Sequence, residues 1–108
     1  MSKKKEIREM ANLVGNSAAH IALLSDSEFA LKEASTYTED ATETAFSRTW
    51  SGSDIEEFRE LALKRATSEI KERIERYGLP KSKIEEFISR AEKYIYAFAE
   101  SHFRVLQI

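Results

Sequence analysis

Ser53-Asp54-Ile55-Glu56-Glu57-Phe58 reads as the opening of a helix, and Ser82-Lys83-Ile84-Glu85-Glu86-Phe87 repeats it at five of six positions. In each, a serine precedes a glutamate by three residues and an amphipathic run follows. This is the capping-box pattern: the hydroxyl accepts from an orphan amide of the first turn, and the carboxylate reaches back to the cap amide. A third pair, Ser25 and Glu28, lies 28 residues before Ser53, which itself lies 29 before Ser82. Three evenly spaced starts divide the chain into four helices, at about 3–24, 26–50, 54–77 and 81–106. Gly78 fits the left-handed position that closes the third, and Pro80 stands where that helix cannot continue.

Each segment carries an inward stripe at helical spacing. In the first it is Ile7, Met10, Ala11, Val14, Ala18 and Ile21, and from Leu13 onward the helix is apolar nearly all round, as a central helix would be. Gly15 there lowers helix propensity by about 1 kcal/mol relative to alanine, and its use is to let a neighbouring backbone approach. The second stripe, Ala30, Ala34, Tyr37, Ala41 and Ala45, is made mostly of small residues and is expected to pack against the Gly15 region. Ile55, Phe58, Ala62, Ala66, Ile70, Ile74 and Tyr77 form the third stripe. Ile84, Phe87, Ile88, Ala91, Ile95, Phe98 and Val105 form the fourth. Short connections near Ser25, Gly52 and Gly78 make sequence neighbours antiparallel. The expected fold is all-α: a single antiparallel up-down-up-down four-helix bundle spanning residues 1–108.

Composition narrows the function. The 108 residues contain no cysteine, so disulfides, thiolate catalysis, zinc fingers and iron–sulfur ligation are excluded together. Seventeen basic against nineteen acidic residues give a net charge of −2, with no general pull toward nucleic acid or anionic lipid. Many charges with few amides match the balance of heat-adapted proteins. Lys3, Lys4 and Lys5 precede an apolar stretch, yet Glu6 and Glu9 occupy the place of a signal peptide's apolar segment, and no run approaches a membrane span. The expected setting is cytoplasmic, without membrane or nucleic-acid partners, and the three lysines read as a solvated tail.

The search for chemistry is negative. A carboxylate-bridged dimetal bundle needs Glu-x-x-His, but Ser17 and Ala99 stand three residues before His20 and His102. Magnesium-dependent nucleotide pyrophosphohydrolases pair Glu-x-x-Glu with Glu-x-x-Asp. Glu6 with Glu9 and Glu57 with Glu60 satisfy the first half, while Leu23, Tyr37 and Ser51 precede Asp26, Asp40 and Asp54 where the second half requires glutamate. Arg8 to His20 and Arg90 to His102 are each twelve apart, too far for a helical nuclease motif, and there is no glycine-rich phosphate loop. His20 and His102 read as half-buried histidines bonded to neighbours. Glu39, Asp40 and Glu43 read as a solvated face. No cofactor, metal ligand or catalytic residue is assigned.

Several large apolar residues fall off the stripes. Phe46 and Trp50 project to the acidic side of the second helix, while Tyr96 and Phe103 continue the edge of the fourth that begins with Glu85 and Glu92. Leu106 follows. All five belong to one end of an up-down bundle. Surplus aromatic surface of this kind marks a contact. The expected function is a non-enzymatic, self-associating interaction or scaffolding module, a homodimer with Phe46, Trp50, Tyr96, Phe103 and Leu106 at or beside the interface and Trp50 as anchor. The alternatives are that Trp50 folds back over the bundle mouth, or that the chain is a metal- or nucleotide-handling enzyme using the second helix's acids with a histidine.

Overall fold

A computed structural model describes residues 2–23 and 38–105. Helix α1 spans Lys3–Leu23. Residues 38–46 are helical and are called α2 here. A two-residue strand β1, Thr49–Trp50, leads into α3 at Gly52–Tyr77. A 3-10 turn at Lys81–Lys83 opens into α4 at Ile84–His102, and strand β2 follows at Arg104–Val105. The architecture is all-α, with one short parallel pairing of β1 and β2 in which Thr49 stands opposite Arg104 and Trp50 opposite Val105. The Ser25–Glu28 cap, Ala30, Ala34, Tyr37 and Leu106 lie outside the described residues.

The inward stripes fill the core. Ile7, Met10, Val14, Phe58, Ile70 and Ile95 are almost wholly buried, joined by Ala41 and Ala45 of α2. Helix α1 buries residues on several sides, Ala19, Ala22 and Ser17 among them, and packs against both α3 and α4. Gly15 makes its close approach to α3, while most of the alanine stripe expected to meet it lies outside the described residues. A Cβ built on it would stand 2.7 Å from the Ala62 carbonyl oxygen and 2.8 Å from Arg65 Cβ. Lys3 pairs with Asp54 near the start of both helices, and His20 reaches Arg73 near both ends, so α1 and α3 run in the same sense. Helix α4 runs oppositely: Phe58 meets Phe98, and Arg90 donates to the Ala22 carbonyl at the far end of α1.

The ends of the elements differ from expectation in ways the side chains explain. The cap of α3 is Ser51, two residues before the expected Ser53. Ser51 Oγ accepts from the Asp54 amide at 3.1 Å, and Asp54 Oδ2 accepts from the Ser51 amide at 3.0 Å. The box is thus built with aspartate. Lys3, 2.6 Å from Asp54, joins the Ser51 amide in holding that carboxyl down to about 2. This ion pair also corrects the reading of Lys3 as part of a solvated tail. Ser51→Ala should lower the unfolding free energy by about 1 kcal/mol, and Ser53→Ala, at an exposed position, by far less. Chemical denaturation of both variants checks this, and equal midpoints would return the cap to Ser53.

Ser82 caps nothing by its side chain. Pro80 precedes the 3-10 turn, with Lys83 N–H donating to the Pro80 carbonyl, and α4 grows out of that turn. Gly78 takes the left-handed conformation at φ 63° and closes α3 as its sequence position implies. Tyr77, expected to face inward, is the last residue of α3 and is 66% exposed.

Candidate interaction surface

The second helix ends at residue 46, not near Trp50, because local hydroxyls take its last carbonyls. Ser47 donates to the Thr44 carbonyl through both its amide and its hydroxyl, at 3.1 and 2.6 Å. Serine competing for backbone acceptors in this way ends helices. The chain then extends through β1, and Trp50 turns inward. Its indole N–H donates to the Ala45 carbonyl at 2.9 Å, and its ring meets Phe103 edge-on with centroids 5.6 Å apart.

The end of α4 is shaped by the same demand. A continued helix would leave Phe103 on the solvent edge with Glu85 and Glu92. The backbone instead becomes extended at Phe103, whose ring enters the cluster against Phe58 at 4.9 Å and Phe98 at 6.1 Å. Burying a side chain of this size contributes about 2–3 kcal/mol, and the β1–β2 pairing takes up backbone groups freed by ending both helices. Two of the residues expected to project from the core turn inward instead. Trp50 and Phe103 are buried within the chain, so the expectation that they project away from the core is corrected, and Trp50 covers the bundle mouth.

Basic groups seal this end. Lys3 Nζ and Arg48 Cζ lie 5.6 and 5.8 Å from the Trp50 ring centroid, and Arg48 pairs with Glu6 at 2.7 Å. Of the four expected contact residues that are described, Phe46 and Tyr96 remain at the surface, 46% and 41% exposed. Phe46 leans on His102, centroids 5.6 Å apart. Tyr96 stands in a groove of about 220 Å³ between α3 and α4, with Ile95 and Leu63 as its floor and Glu56, Glu60 and Glu92 along its rim. The Arg59 guanidinium lies 4.5 Å from the Tyr96 ring centroid, and its Nε is buried with no hydrogen-bond acceptor among the described residues.

Both histidines are half-buried and bonded to neighbours. His102 stacks on Phe98, with Nδ1 3.0 Å from the Phe98 carbonyl oxygen, so Nδ1 carries the donated proton. His20 Nδ1 lies 2.6 Å from Arg73 Nη1, and since arginine only donates, Nδ1 is the acceptor. His20 lines a cavity of about 420 Å³ at the opposite end, with Leu23, Arg73, Arg76, Tyr77 and Leu79. Its arginines are balanced by Glu69 and Glu72. Glu39, Asp40 and Glu43 are exposed on α2. Among the described residues, no three or more of histidine, aspartate and glutamate converge closely enough to hold a metal ion. Nor is any described helix long and apolar enough to cross a membrane.

A half-buried polar pair between α2 and α4 was missed. Tyr94 is hydrogen-bonded to Thr38, and burial raises the phenol above its ordinary value despite that bond. Thr38 is one of five threonines between residues 36 and 49, and nothing in its local pattern sets it apart. Comparison of the chain with protein families, with curated proteins and with solved structures finds no match.

Proposed function

We propose that the chain is a non-enzymatic, self-associating interaction module, built as one antiparallel up-down-up-down four-helix bundle. The topology is supported by the helix senses: α1 with α3, and α4 opposed to both. Thr38 beside Tyr94 and Phe46 beside His102 give α2 the sense of α4.

One observation carries the functional reading. A chain that buries Trp50, Phe58, Phe87, Phe98 and Phe103 leaves Phe46 and Tyr96 nearly half exposed. Aromatic side chains are enriched at the centres of contacts, and closed two-fold dimers are the commonest soluble assemblies. Light scattering should give twice the mass of the chain at tens of micromolar, and a Phe46→Ala, Tyr96→Ala double variant should give the single mass with its helical dichroism unchanged. A wild type that stays monomeric at that concentration overturns the reading.

A further inference from the structure

The face of α3 that neither α1 nor α4 covers carries Glu56, Glu60, Leu63, Lys64, Thr67 and Lys71. At 100° per residue these six fall within a single sector about 100° wide. The charges along it are sorted, acids in the first half and lysines in the second. Glu56, Glu60, Lys64 and Lys71 are all exposed, and among the described residues none of them enters an ion pair. The pairs of α3 itself use Arg65, Glu69, Arg73, Glu72 and Arg76 instead. The acidic half borders the Tyr96 groove, and that groove meets the lysine half at Leu63 and Glu60.

We infer that this face is the dimer contact, and that its occupant is α3 of a second copy, lying antiparallel about a two-fold axis near Leu63 and Lys64. The inference rests on the self-association proposed above. The sorting of charge selects the occupant. Rotation about that axis sets Glu56 opposite Lys71 of the second copy. Glu60 then falls opposite Thr67 of the second copy, one turn from each of its two lysines. Every attraction occurs twice, as an isologous contact demands. Leu63 lies at the axis, and Tyr96, with Arg59 beneath it, flanks the acidic end.

Area suits this side. A specific contact buries roughly 800 Å² per partner. Helix α3, 26 residues and about 39 Å long, supplies a side that is large enough.

The test is charge reversal with two rescues. One variant carries Glu56→Lys and Glu60→Lys, the other Lys64→Glu and Lys71→Glu. Each sets like charges against one another across the axis, and each should weaken self-association on the order of a hundredfold. Mixing the two should give a one-to-one heterodimer, since one chain is then wholly basic on this face and the other wholly acidic. The chain with all four substitutions should dimerise with itself again. Sedimentation velocity reads all four cases, with circular dichroism on each. Reversal variants that dimerise as the wild type does overturn this axis while leaving self-association intact. Monomeric variants that neither the mixture nor the fourfold chain restores also overturn the pairing. A monomeric wild type overturns the self-association reading, and this axis with it.

Discussion

Trp50→Ala should lower the unfolding free energy by about 3–5 kcal/mol, a large part of what holds a domain of this size. Trp50 is fully buried, hydrogen-bonded to the Ala45 carbonyl and packed edge-on against Phe103. Removing the indole opens a cavity against Phe103, which in turn supports Phe58 and Phe98. It also leaves the Ala45 carbonyl without that donor. The β1–β2 pairing should loosen as well, because Trp50 is one of its four residues. Trp50→Phe keeps most of the volume and loses the N–H, and should forfeit about 1–2 kcal/mol. Chemical denaturation at two protein concentrations tenfold apart checks both. A core residue gives a loss that does not change with concentration, whereas an interface anchor gives one that does. Less than about 1 kcal/mol lost on Trp50→Ala would return this side chain to the surface.

The same residue shows how far the sequence could be read. Helical periodicity identified the buried faces of α1, α3 and α4 well, because an amphipathic helix writes its core on every third or fourth residue. It also drew Phe46, Trp50, Tyr96 and Phe103 to one end of the molecule. It failed where a helix stops. The wheel treats residue 50 as the continuation of residue 46, but Ser47 takes the Thr44 carbonyl and the chain extends. Four residues of extended backbone carry a side chain to a different face from four residues of helix, so Trp50 and Phe103 move inward together. The cap shifted for a related reason. Ser51 and Ser53 are both adequate N-caps, and the choice between them falls to contacts far along the chain, Trp50 entering the core and Lys3 meeting Asp54. Tyr94 with Thr38, and Arg59 with Tyr96, are likewise contacts between helices, which no single-helix pattern contains. Tyr96, the exposed aromatic beside the proposed contact, was legible, whereas the sorted charges of α3 acquire meaning only once their exposure is known.

Gly15→Ala should destabilise the protein by about 1–2 kcal/mol, although alanine is the better helix former by about 1 kcal/mol. The new methyl would stand 2.7 Å from the Ala62 carbonyl oxygen and 2.8 Å from Arg65 Cβ. Neither neighbour is the free end of a flexible chain: one belongs to the backbone of α3, and the other is fixed to it. Relief therefore requires α1 and α3 to separate along the interface where Val14, Ala18 and Ala66 are buried. The loss of close packing outweighs the gain in propensity. Gly15→Leu should lose more, since several further carbons enter the same gap. Gly52 supplies the internal control. It stands in the first turn of α3 without a positive φ, and a Cβ there meets nothing within 4 Å. Gly52→Ala should therefore stabilise the chain by about 0.4–1 kcal/mol, chiefly by restricting the unfolded ensemble. The two variants differ from the wild type by the same methyl group, and their denaturation midpoints should move in opposite directions. A Gly15→Ala midpoint at or above the wild type would mean that α1 and α3 do not approach as closely as Gly15 permits.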